Sequence, residues 1–205
     1  MRGWLASDGH KVHLTQEPSR GPVGSLLRLF LEKRLTLDMD MSDVESGERL
    51  NPAMLALLFA ADRLDHLASE VQPLRHKGWI VVSDRYVLSS LAYQSIDCRI
   101  EFVKEINALA APPDLTILLD VPVSACRKRI AASRRGLELF DETKKQERVR
   151  DNYLALAESW KRSRIKTEIL DGDRPIEVVH EDVKRIVGQD LGLSRPARPS
   201  RRMVD

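Results

Sequence analysis

Two strong apolar runs and two weaker ones, separated by helical patterns, organise the chain. Trp79-Ile80-Val81-Val82-Ser83 follows Gly78 and stops at Asp84-Arg85-Tyr86. Leu115-Thr116-Ile117-Leu118-Leu119 follows Pro112-Pro113-Asp114 and stops at Asp120. Both runs are near-continuous rather than alternating, the pattern of strands covered on both faces, as in a parallel sheet. Residues 11–15 and 166–170 are weaker strand candidates, bordered by Gly, Asp or Pro.

Helical spacing fills the intervals. Asn51 followed by Pro52 is a cap and a first-turn residue, and predicts a helix from Pro52 to about Val71. Residues 122–134, 144–164 and 176–187 predict three more, and Met1 to Ser7 looks like the end of another, leading through Gly9 into the strand at 11–15. Strands alternating with helices predict a doubly wound α/β fold with a largely parallel sheet. The stretch 36–50, rich in Asp, Ser and Met, is expected to be a mobile loop. Residues 194–205 hold four arginines and two prolines with little apolar surface, so they are expected to form a disordered basic tail after a single domain, 1–193.

Composition narrows the class. The 205 residues are 42% hydrophobic and 31% charged, a length that favours one domain. Lys and Arg total 33 against 31 Asp and Glu, a net charge of +2, which excludes an acidic disordered chain and a chain-wide basic footprint. No nucleic-acid partner is therefore expected. The longest apolar run, Ala53 to Ala61, falls well short of the ~18 residues of a membrane span. Residues 1–8 hold no apolar stretch of signal-peptide length, and Cys98 and Cys126 alone build neither a disulfide framework nor a four-ligand zinc site. These features predict a cytoplasmic protein with free thiols.

The chemistry gathers in three places. On the 52–71 helix, Met54, Leu57, Leu58, Ala61, Leu64, Ala68 and Val71 form one stripe that predicts the core-facing side. Phe59 and Arg63 lie one turn apart on the opposite face. Either a second layer covers the ring while a carboxylate pairs the cation, or both face a cleft. In the second case a planar heterocycle could stack on Phe59 while Arg63 donates to its carbonyl edge. Asp84-Arg85-Tyr86 ends a buried strand, where open α/β sheets bind ligands. Asp can hold a hydrated Mg²⁺ and Arg can clamp a phosphate; a helix-capping Asp paired with Arg is the plainer alternative. Ser90, Tyr93 and Gln94 fall within one helical turn just beyond.

Together these segments resemble the thymidylate kinases, a family of P-loop nucleoside monophosphate kinases. The resemblance runs from about Trp4 to Val187. It is carried by Leu57-Leu58-Phe59-Ala60-Ala61-Asp62-Arg63, by Val82-Ser83-Asp84-Arg85-Tyr86 with 89–94, by 113–121, and by Arg148-Val149-Arg150 with Tyr153-Leu154. It implies a P-loop kinase three-layer fold and transfer of the γ-phosphoryl group of ATP to dTMP with Mg²⁺, giving dTDP and ADP. A homodimer is implied too. By resemblance Phe59 stacks on thymine, Arg63 reads its O4, Ser90 helps read the N3 edge, and Tyr93 crowds the sugar 2′ position. Gln94 and Glu17 fall among the substrate-binding positions. Arg85 matches the clamp on the acceptor phosphate, and Asp84 the carboxylate beside magnesium, through water. Arg134 and Arg135 stand where the family's lid begins, a region that supplies arginines to the transferring group.

The chain departs from the pattern in several places. Gln16 replaces an arginine common before Glu-Pro, and Leu139-Phe140-Asp141 replaces the lid's usual Arg, apolar residue and Glu. Residues 36–50 have no clear counterpart. No Gly-x-x-x-x-Gly-Lys-[Ser/Thr] occurs anywhere in the sequence. That loop cradles the donor phosphates with backbone N–H groups and in the family follows a first, central strand. The chain is therefore expected to begin roughly 20–25 residues late, about a strand, a loop and half a helix. The consequences expected are two sheet edges facing a gap and no kinase activity from the 205 residues alone. A non-catalytic nucleotide-binding relative is the alternative.

Overall fold

The computed structural model describes residues 1–32, 51–132, 141–163 and 165–192. Its four strands are the four anticipated runs, each placed one residue later: β1 (Val12–Gln16), β2 (Ile80–Asp84), β3 (Thr116–Asp120) and β4 (Thr167–Asp171). The polar residue after each run stays in the ladder because the parallel register pairs Gln16 with Asp84 and Asp120 with Asp171.

β1 pairs only with β2 and β3 only with β4, giving two parallel two-stranded ladders among the described residues. The anticipated gap is thus present. The β2 and β3 residues Ile80, Val82, Ile117 and Leu119 line a shared cleft of about 1000 Å³. One link between the two ladders is a core on one face, and another is the packing of α5 (Val87–Gln94) on α8 (Asp141–Lys161). Leu5 of α1 (Arg2–Ser7) and Val179, Val183, Ile186 and Val187 of α9 (Ile176–Asp190) pack with Val12 and Leu170. Ile80, Val82, Leu115 and Ile117 rest against that cluster. Side-chain packing rather than backbone pairing therefore bridges the halves.

The predicted helix at Pro52 is α3 (Pro52–His66), and its cap is the predicted one: Asn51 accepts from the N–H groups of Ala53 (2.9 Å) and Met54 (3.3 Å). It runs on past Val71, through a π-helical stretch, Leu67–Val71, into α4 (Gln72–His76). Pro73 supplies no N–H and crowds the carbonyl four residues back, and the wider π turn sits where that crowding falls.

The buried face of α3 corrects the periodicity argument. Leu57 and Leu64 of the apolar stripe are 50% and 36% exposed, while Ala56, Ala60, Asp62, Arg63 and His66 are buried. The helix turns a polar face inward because carboxylates and hydroxyls from three other segments meet it there. α2 (Pro22–Leu31) and α6 (Ile100–Ile106) were not anticipated, α5 (Val87–Gln94) carries the Ser90 turn, and α8 (Asp141–Lys161) starts three residues before the expected 144. The helix predicted over 122–134 is α7 (Val123–Ala132). The loop 36–50, Arg134, Arg135, Leu139, Phe140 and the tail 194–205 lie outside the described residues. No described helix is long and apolar enough to cross a membrane.

Candidate functional site

The carboxyl ends of β1 and β2 lie side by side, and the chain leaving β1 folds back over β2: the Glu17 N–H donates to the Asp84 carbonyl at 3.0 Å. This places the buried Glu17 side chain beneath the inward face of α3. Arg63 meets it there. Arg63 Nε and Nη2 donate to Glu17 Oε2 at 3.0 and 2.7 Å, Nη2 also donates to Ser90 Oγ at 2.8 Å, and Nη1 donates to Asn107 Oδ1. Asn107 follows α6, and its side-chain Nδ2 donates to the Val103 carbonyl at 2.7 Å, which fixes the orientation of its amide. Of the five N–H groups of a guanidinium, one on Nη1 has no partner among these contacts.

The network continues on the far side of Glu17. His66 Nδ1 faces Glu17 Oε1 at 3.5 Å, and His66 Nε2 lies 2.7 Å from Thr15 Oγ1. Burial disfavours charge on His66, yet Glu17, Glu70 and Asp62 outweigh it and hold its pKa above the ordinary value. Asp62, fully buried, accepts from the Ser19 N–H and Oγ at 2.8 and 2.6 Å and so anchors the turn after β1.

A second group stands at the end of β2. Arg85 has φ 69°, the left-handed region, which L side chains occupy at a strain. The Ser83 hydroxyl holds that turn by donating to the Arg85 carbonyl at 2.8 Å. The guanidinium lies over the Tyr93 ring, 5.2 Å from its centroid, and Tyr93 meets Tyr153 of α8 edge-on at 6.0 Å. Tyr153 donates to Ser89 Oγ at 2.7 Å, and Arg150 of the same helix grips Asp120 through two bonds of 2.7 and 2.8 Å. A cation held over a ring face keeps its N–H edge free for an anion.

The sequence-predicted residues thus fall into two adjoining groups. Glu17 and Ser90 are both bonded to Arg63, and Asp84, Arg85 and Tyr93 stand at the strand end. Phe59 is half-buried one turn before Arg63. Gln94 follows Ser90 by one turn, and its Oε1 is buried with no hydrogen-bond partner among the described residues. Of the two readings of Arg63, the buried ion pair is present in full. His66, Asn107, Asp62 and Tyr153 were missed as site residues. His66 had a signal, lying three residues after Arg63 on one helix; Asn107 had none.

Asp84 ends β2 exposed, and the described residues gather no group of three or more His, Cys, Asp or Glu that could cage a metal. A single carboxylate suits Mg²⁺, which keeps several waters and completes its shell with phosphate oxygens. No glycine-rich lysine loop of the kind that cradles a donor triphosphate occurs in the 205 residues.

Comparison with known proteins gives the family. The family profile for thymidylate kinase matches residues 1–183. A probable thymidylate kinase of Pyrococcus abyssi is 38% identical over 190 residues, covering 92% of this chain and 86% of that protein. Another from Pyrobaculum aerophilum is 38% identical over 178 residues, covering 86% of this chain and 83% of its own, and one from Staphylothermus marinus is 36% identical over 196 residues, covering 93% and 86%. A profile match over most of the chain, with relatives of this identity across nearly all of it, settles the assignment: the chain belongs to the thymidylate kinase family.

Proposed function

We propose that the chain binds dTMP as phosphoryl acceptor, at the carboxyl ends of β1 and β2, in the reaction dTMP + ATP → dTDP + ADP. The observation that carries this is the convergence of Glu17, Arg63, Ser90, Asp84, Arg85 and Tyr93, from four separate segments, at one end of one ladder. The pyrimidine stacks on Phe59. The remaining Nη1 hydrogen of Arg63 donates to a ring carbonyl, and Gln94 Oε1 is a buried acceptor suited to the ring N–H. Arg85, aimed by the Tyr93 ring, clamps the phosphate. Asp84 would hold Mg²⁺ through water, and the ion when bound would neutralise charge between the phosphates. Phosphoryl transfer asks little covalent work of protein groups, so positioning and charge neutralisation by this chain's side chains are its contribution. The same reading places the protein in the cytoplasm. It also makes the exposed Leu57 and Leu64 of α3, with Leu26 and Leu29 of α2 (each 37% exposed), the seam of a homodimer.

Two substitutions test the acceptor site by calorimetric titration. Phe59→Ala is expected to weaken dTMP by ~1–3 kcal/mol through lost stacking. Unchanged affinity would make the ring structural. Arg85→Lys is expected to weaken dTMP while leaving thymidine, which lacks the phosphate, as it was; equal losses for both ligands would remove Arg85 from the phosphate.

A second reading, a nucleotide binder that transfers nothing, is favoured by one fact: the sequence lacks the donor-phosphate loop. The 205 residues are expected to release no ADP from ATP and dTMP in a coupled assay, and dTMP-dependent ADP release would sink both that reading and that expectation.

A further inference from the structure

The Glu17 carboxylate is divided between two cations-in-waiting. Its Oε2 takes both Arg63 bonds, while Oε1 is buried with no conventional hydrogen bond and faces the equally unpartnered Nδ1 of His66 at 3.5 Å. Among the described residues, the carboxylates acting on that imidazole are Glu17 from the turn after β1, Asp62 from α3, and Glu70. Glu70 of the π stretch lies 3.8 Å from Nε2. His13 of β1 shares Glu70 at 2.6 Å. Thr15 supplies the neutral contact at Nε2.

We propose that His66 is a positioning residue for the acceptor base, setting through Glu17 how freely Arg63 donates to the pyrimidine carbonyl. The inference rests on the dTMP-site reading above. When His66 carries its proton, Nδ1–H draws the carboxylate charge toward Oε1, and the Arg63 hydrogens on Oε2 are held less tightly. When the proton leaves, Arg63 is the sole cation on Glu17, is bound harder, and donates less to a ligand. Proton and base are then coupled, and by linkage each favours the other. His66 titrates above its ordinary value, so the favourable state is complete below that range and is lost as pH rises through it.

Thymidine is the probe, because it has no phosphate to titrate over the range used. Its affinity for the wild-type chain, measured by calorimetry from pH 5.5 to 8.5, is expected to fall about three- to tenfold with rising pH. His66→Asn keeps a side-chain N–H near the Nδ1 position without a titrating proton, and its profile is expected to be flat. Glu70→Gln removes one of the carboxylates that hold the proton on His66, and should move the midpoint to lower pH. This second variant decides the matter if His66→Asn fails to fold. His13→Gln should keep the slope. A flat wild-type profile, a wild-type slope in His66→Asn, or an unmoved midpoint in Glu70→Gln overturns the proposal while leaving the dTMP site standing. Failure of both thymidine and dTMP to bind at any pH overturns the site itself and the proposal with it.

Discussion

Arg63→Ala is expected to destabilise the fold by about 3–5 kcal/mol, the range for leaving one partner of a buried ion pair uncompensated. Arg63 and Glu17 have side chains only 2% and 3% exposed. The truncation leaves a carboxylate in a space that water does not reach, along with Ser90 Oγ and Asn107 Oδ1 deprived of their donor. Such a loss is a large part of the 5–15 kcal/mol a domain typically has. The double variant Arg63→Met/Glu17→Gln is expected to recover much of it, since removing both charges removes the desolvation penalty. Urea unfolding followed by circular dichroism measures both. If Arg63→Ala unfolds within 1 kcal/mol of wild type, the pair is not the buried linchpin described here.

Gly24→Ala should be nearly as damaging, although alanine is the better helix former by about 1 kcal/mol. A Cβ at this α2 position would stand 2.2 Å from the Ser19 carbonyl oxygen, 2.6 Å from the Ser19 nitrogen and 2.7 Å from Asp62 Oδ1. Backbone atoms cannot swing aside as a flexible side chain can. The helix must back away from the turn after β1, breaking the Ser19–Asp62 bonds that hold Glu17 under α3. The expected net loss is roughly 2–4 kcal/mol, with dTMP affinity falling in parallel. A Gly24→Ala chain with wild-type unfolding midpoint and wild-type affinity would show that α2 and that turn are not rigidly joined.

β2 and β3 were legible because a strand covered on both faces needs an unbroken apolar run, whereas β1 and β4 showed only as weaker runs bordered by Gly, Asp or Pro. α2 and α6 were not: α2 opens on Pro22 but has no side-chain cap, and α6 is seven residues long with no side-chain cap either. α3 was placed correctly and turned the wrong way. Periodicity finds the apolar side of a helix but does not say whether that side meets its own core or lies exposed, as Leu57 and Leu64 do. The site divides along the same line. Phe59, Asp84, Arg85, Ser90 and Tyr93 could be singled out because they sit in compact motifs. Asn107 was invisible, since the contact that gives it meaning joins residues 44 apart in sequence. Arg134 and Arg135 fall outside the described residues, and their role stays an expectation from the family.

The backbone at Arg85 sets two kinds of selection against each other. At φ 69° a glycine would sit without strain, so a search for sturdier variants that ignored ligands would favour Arg85→Gly. The same exchange deletes the side chain that Tyr93 holds in place. A selection for phosphate binding at this position would be expected to keep arginine, so the two selections would part company at this one residue.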